Sequence, residues 1–125
     1  STVYALARWR NGQVPRIGLG PGGPLVPDGV LTGDPTAELY DGQRDCDSLP
    51  PYDVLDPILV GLVEHDKSVA QLVNEGFEHG VVRHVEFLLH RAEYKRRQSP
   101  PGVKLTARNF GRDRRYPITH AFRSG

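Results

Sequence analysis

The chain has 125 residues, a net charge of +1, 14 Gly, 11 Pro, one Cys and no Met. Its length allows one domain and excludes two large ones, and 33 Leu, Ile, Val and Phe with so small a charge exclude a disordered chain. The single Cys46 excludes an internal disulfide framework, and no apolar run reaches the roughly 18 residues of a membrane span.

Residues 1–10 read as the end of a helix, with Val3, Leu6, Ala7 and Arg10 on one face and Asn11-Gly12 as its stop. The opening Ser1-Thr2-Val3 and the absence of Met lead us to expect a piece of a longer chain. Residues 11–35 hold seven Gly and five Pro, a composition expected to sustain neither a regular helix nor a central strand. A loop of this length is usually a lid, a binding loop or a linker. Gly18-Leu19-Gly20-Pro21-Gly22-Gly23 matches the dinucleotide pattern G-x-G-x-x-G, but no strand precedes it and no helix pattern follows, so the match is empty.

Pro50-Pro51 announces a helix to about His65 with Leu55, Ile58, Leu59 and Leu62 on one stripe. Pro57 either opens that helix behind an Asp56 cap or kinks it. Ser68-Val69-Ala70-Gln71 has the capping-box pattern, opening a short helix that Gly76 ends. From about Gly80 to Gln98 the spacing of Val81, Val85, Leu88, Leu89 and Ala92 predicts one amphipathic helix of about five turns. Pro100-Pro101-Gly102 terminates it, and a short strand is expected at Val103–Thr106.

The small net charge conceals an uneven distribution. Residues 1–82 carry five Lys/Arg against twelve Asp/Glu, whereas residues 83–125 carry eleven against three. The basic end is suited either to an anionic partner or to the chain's own acidic half. Two clusters dominate it: Glu93-Tyr94-Lys95-Arg96-Arg97-Gln98 at a helix end, and residues 108–115, flanked by aromatic Tyr116 and including Phe110. The first suits phosphate or carboxylate binding, although a solvated helix end is the plainer reading. The second, with basic residues interleaved with aromatics, suits single-stranded nucleic acid but lacks an RNA-binding signature. None of the five His has the spacing of a zinc pair. Asp45, Asp47 and Asp53 are open between Mg²⁺ ligation with substrate phosphates and capping of the helix near Tyr52.

Five stretches in register resemble the C-terminal part of glutamine-dependent NAD⁺ synthetases: Val3-Tyr4-Ala5-Leu6-Ala7-Arg8-Trp9-Arg10-Asn11, Pro35-Thr36-Ala37-Glu38-Leu39, Asp47-Ser48-Leu49-Pro50-Pro51-Tyr52-Asp53-Val54-Leu55-Asp56, the Glu93–Gln98 motif, and Phe110-Gly111-Arg112-Asp113-Arg114-Arg115-Tyr116-Pro117-Ile118. The resemblance covers nearly the whole chain and is weakest across residues 12–34. It implies an ATP-dependent ligase that adenylates deamido-NAD⁺ and amidates it with ammonia from glutamine. By the same resemblance Thr36 contacts ATP on a mobile lid, and Lys95 holds deamido-NAD⁺. Tyr94 joins Lys95 there, where smaller ammonia-dependent relatives have His. The resemblance further implies ATP and Mg²⁺ as cofactors of the complete enzyme, which is expected to be a cytoplasmic homo-oligomer with neither nucleic acid nor membrane as partner.

The implied fold is mainly α with long irregular loops in this chain, as the C-terminal portion of an α/β Rossmann-like nucleotide α-hydrolase (ATP pyrophosphatase) synthetase domain. Residues 1–11 then end a helix of the truncated core, 12–50 form the Gly/Pro-rich loop and Pro-Thr-Ala-Glu-Leu lid, 51–98 a helical segment and 99–125 a basic C-terminal tail. The family's Ser-Gly-Gly-x-Asp-Ser pyrophosphate loop, its principal Mg²⁺ carboxylate and its glutaminase Glu-Lys-Cys set have no match. No catalytic or metal-binding residue is therefore assigned, and the chain without the N-terminal part of the enzyme is expected to be inactive. The rival expectations are a stand-alone helical protein-interaction module and a basic nucleic-acid-binding module.

Overall fold

The computed structural model describes residues 2–18, 20–33, 40–44, 48–108 and 110–119. These form two compact units, Ser1–Ser48 and Leu49–Gly125. All regular elements among the described residues are helices.

The first unit contains α1 (Thr2–Gly12) and α2 (Asp28–Thr32). Neither helix buries a residue, and Val3 and Leu6 of the expected apolar face are exposed. Polar side chains hold the unit instead. Arg10 donates to the carbonyls of Gln13, Pro21 and Gly23 at 3.0, 3.0 and 3.2 Å. Asn11 donates to the Val26 carbonyl at 2.7 Å, and its Oδ1 accepts from the Leu25 and Val26 N–H groups, both at 2.9 Å. The loop after α1 is therefore laced back onto the end of the helix that precedes it. One helical turn interrupts the stretch expected to be irregular throughout. Pro27 presets the entry with φ −59°, and Asp28 sits in the first turn, where a negative charge suits the helix dipole.

The second unit is built on α3 (Tyr52–Glu64), α4 (Val69–Asn74), α5 (His79–Arg91) and α6 (Glu93–Gln98). Leu55, Ile58, Leu62 and Val63 of α3 meet Val69 and Leu72 of α4 and Val82, Val85 and Leu89 of α5 in one apolar core. Pro57 lies inside α3 rather than at its start. It costs the helix the bond to the Asp53 carbonyl, but both residues face solvent, where water can replace that bond.

α4 has the expected capping box: Ser68 N–H donates to Gln71 Oε1 at 2.8 Å and Gln71 N–H to Ser68 Oγ at 3.3 Å. It stops at Gly76, whose φ of +103° favours glycine. The Gly76 and Phe77 N–H groups take the Val73 and Leu72 carbonyls, a Schellman stop that folds Phe77 back onto the core. α3 and α4 come close at Gly61, where an added Cβ would stand 2.6 Å from Leu72 Cδ2. Gly61→Val is accordingly expected to cost about 1–3 kcal/mol by overpacking. Urea denaturation checks this, and an unchanged midpoint would show that Leu72 can yield.

The long helix expected over 80–98 is two helices. Arg96 Nη1 donates at 2.8 Å to the Leu89 carbonyl, the acceptor that an unbroken helix would offer to the Glu93 N–H. A side chain inserted into the ladder in this way is an established cause of a helix break, and the break falls at Ala92. The start also moves. Glu78 caps α5, its carboxylate accepting from the N–H groups of Gly80 at 2.8 Å and Val81 at 2.7 Å, and those bonds hold its pKa below the usual carboxylate value. The buried face of α5 is Val82, Val85, Glu86 and Leu89, rotated from the expected stripe so that Val81 is only half-buried. Residues 99–108 and 110–119 follow as irregular chain. The strand expected at Val103–Thr106 does not form, and Val103 and Leu105 are exposed.

Candidate functional site

The second unit gathers its basic residues around α6. Glu93, 2% exposed, is the organising group. Arg96 Nη2 donates to one of its carboxylate oxygens at 2.5 Å and Arg97 Nε to the other at 3.2 Å. Burial alone pushes this carboxyl up, but the two arginine hydrogen bonds, the Arg96 charge and the Tyr116 N–H together push it further down. The result lies below the usual carboxylate range.

The same arginines fasten the following chain. Arg97 Nη2 donates to the Tyr116 carbonyl at 2.6 Å, while the Arg96 guanidinium lies over the Phe110 ring, 4.7 Å from its centroid. Arg114 lies over the Tyr116 ring at 4.8 Å, and His90 meets that ring edge-on. Residues 110–116 are thus strapped to α6. At the other end Arg108 pairs with Asp66, and Thr106 Oγ1 lies 2.8 Å from Glu64 Oε1, tying the strap to the end of α3.

Between strap and helices lies a cavity of about 750 Å³. Its basic lining is Arg96, Arg97, Lys104, Arg108, Arg112 and Arg115, against the carboxylates Glu64 and Asp113. The volume falls within the range of small-molecule sites, and the charge suits an anion.

Of the sequence-derived site residues, Lys95 and Tyr94 both lie on the exposed side of α6, Tyr94 being 44% exposed. Neither lines the cavity. Lys95 is exposed and makes no ion pair with another described residue. Thr36 lies outside the described residues, as do Asp45 and Asp47. Among the described residues no three His, Cys, Asp or Glu side chains gather as metal ligands. Sequence reasoning passed over Glu93 as a structural hub. Its signal was nonetheless present, since arginines three and four residues after a glutamate lie on the same helical face.

The NAD synthase family model matches residues 1–99. The chain belongs to the NAD synthase family. Within that family it is 46% identical over 121 residues to the glutamine-dependent NAD⁺ synthetase of Rhodobacter capsulatus, a match covering 97% of this chain and 22% of the relative. Identity to the synthetase of the same name from Xanthomonas campestris is 46% over 120 residues, covering 96% and 20%. The chain thus spans about a fifth of the length of the NAD synthases it matches. It also superposes on a solved structure of glutamine-dependent NAD⁺ synthetase from Acinetobacter baumannii in complex with ADP. There the TM-score is 0.59 and the identity 37%, over 98% of this chain and 19% of that one. The resemblance drawn from the five motifs is borne out. No helix among the described residues is long and apolar enough to cross a membrane.

Proposed function

We propose that the chain is a portion of an ATP-dependent carbon–nitrogen ligase that converts deamido-NAD⁺ to NAD⁺ through an acyl-adenylate, with ammonia drawn from glutamine. The observation that carries this reading is the alignment of 97% of the chain, at 46% identity, with a protein named for that activity. In this reading the chain is the C-terminal portion of a Rossmann-like synthetase domain in a cytoplasmic homo-oligomer. Its partners are ATP, ammonia or glutamine, deamido-NAD⁺ and the N-terminal part of the same enzyme.

Thr36, in the lid over residues 12–50, contacts ATP in this proposal. A lid rich in Gly and Pro suits a site that must admit a dinucleotide and then keep water from a reactive acyl-adenylate. Lys95 contributes a fixed positive charge to deamido-NAD⁺, a role that needs no proton transfer. Tyr94 is its neighbour on the same exposed surface.

The buried Glu93 supports the role of Lys95 by position. Glu93 fixes the helix from within, which leaves Lys95 two residues later on the outer face at little further cost in order. In the complete enzyme, Lys95→Ala is expected to raise the KM for deamido-NAD⁺ about tenfold or more, the loss of one charge-assisted contact, with glutaminase activity unchanged. Steady-state kinetics with each substrate varied in turn reads this. Unchanged kinetics would remove Lys95 from the site.

A further inference from the structure

We infer that Asn11 is a site of spontaneous deamidation, and that the lacing of the loop after α1 sets how fast its amide is converted to a carboxylate. The inference concerns the first unit by itself and does not depend on the activity proposed above.

The chemistry lies in the Asn11-Gly12 pair. Asparagine is among the thermally labile residue types. The Gly12 main-chain nitrogen attacks Asn11 Cγ, its proton departs with the side-chain amide as ammonia, and a succinimide ring closes. Water then opens the ring at either carbonyl. One opening gives aspartate, and the other gives isoaspartate, with the main chain rerouted through the side chain. Water is the only co-reactant and ammonia the only by-product. Attack requires the following nitrogen to swing toward the side chain, which a glycine permits most readily because it has no Cβ. Gly12 is exposed, and a Cβ placed on it would meet nothing within 4 Å.

The folded first unit withholds both reacting groups. Asn11 Nδ2 is held by the Val26 carbonyl at 2.7 Å, and Oδ1 by the Leu25 and Val26 N–H groups at 2.9 Å. So tethered, Cγ does not turn onto the next nitrogen. Gly12 is the last residue of α1, where a main-chain nitrogen is directed along the helix axis rather than at the preceding side chain. Reaction therefore requires the loop to open. Arg10 opposes opening from the same helix end, through the carbonyls of Gln13, Pro21 and Gly23. Neither α1 nor α2 buries a residue, so these polar contacts take the place of an apolar core. The rate in the folded chain is then the open fraction multiplied by the rate of the open chain.

The product does not restore the original lacing. Aspartate keeps acceptors for the Leu25 and Val26 N–H groups, but it has no N–H for the Val26 carbonyl, and oxygen facing oxygen at that spacing repels. Isoaspartate also lengthens the main chain by a methylene at the end of α1. Each conversion is one-way and leaves the loop less firmly held.

Incubation of the full chain in mildly alkaline buffer, followed by peptide mapping with mass spectrometry, tests the inference. Asn74, which is followed by Glu75, is the internal reference. Asn11 should convert about tenfold or more slowly in the folded chain than in the same chain unfolded in urea. Arg10→Ala removes three carbonyl contacts and should speed the folded-state reaction about tenfold, with the urea rate little changed. Gly12→Ala, for which there is room, should slow the reaction in urea about tenfold while helical circular dichroism is retained. The inference is overturned if Asn11 fails to outpace Asn74 in urea, or if Gly12→Ala reacts as fast as the wild type. It is equally overturned if folding gives no protection, or if Arg10→Ala leaves the folded-state rate unchanged.

Discussion

Glu93→Ala should destabilise the second unit by about 3–5 kcal/mol, because it leaves the largely buried Arg96 with an uncompensated charge. A loss of that size is comparable with the whole stability of a small domain, about 5–15 kcal/mol. The effect should begin in the strap. Glu93 accepts the Tyr116 N–H and positions Arg97 for the Tyr116 carbonyl, so its removal releases residues 110–116 from α6. Limited proteolysis should therefore cut residues 99–119 faster in the variant, and urea denaturation should show the earlier midpoint. Equal cutting and equal midpoints would show that Glu93 holds neither helix nor strap.

The same carboxylate sets a pH dependence. Its folded pKa lies below the usual value near 4.5, so its contribution is fully present above that value and is lost as pH falls through the folded pKa. The stability difference between the wild type and Glu93→Ala should consequently be constant at neutral pH and shrink as the solution becomes acidic. A difference that grows on acidification would contradict a depressed pKa.

Ile58→Ala is the second large effect, at about 2–5 kcal/mol. Ile58 is fully buried in α3 within the core shared with α4 and α5, so truncation removes contacts on every side and leaves a cavity. Val3→Ala on α1 is the matched comparison. Val3 is 78% exposed, and its loss should stay within about 0.5 kcal/mol. Thermal or urea unfolding of the two variants side by side reads the contrast. Comparable losses would mean that the apolar side of α1 is covered in solution.

Where the sequence could be read, the relevant physics was local. The Ser68–Gln71 box and the Gly76 stop each depend on residues within one turn, and both stand as expected. The α3 stripe was legible for the same reason. The break at Ala92 was not, because the Arg96 side chain that causes it reads in sequence as one more solvated cation of a basic run. Glu93 was obscured likewise, since a glutamate among arginines suggests a surface and its burial depends on residues 110–116 arriving from elsewhere. Periodicity also placed the α5 stripe slightly off, as the buried Glu86 belongs to a face that a hydrophobicity pattern counts as polar. At the functional level the five motifs carried the family. The cavity was invisible because its lining joins α3, α6 and the chain after Gln98, and no spacing rule brings α3 to the other two.

The lacing of the first loop has an evolutionary consequence. Arg10 and Asn11 grip residues 13–26 almost entirely through main-chain carbonyl and N–H groups, which nearly every amino acid supplies. The path of the loop can therefore persist while the identities along it drift, provided each new residue tolerates the local backbone and Gly23 keeps its left-handed turn. Selection to retain that path falls on two side chains of the preceding helix, and a run of some fifteen residues is left comparatively free to vary around them.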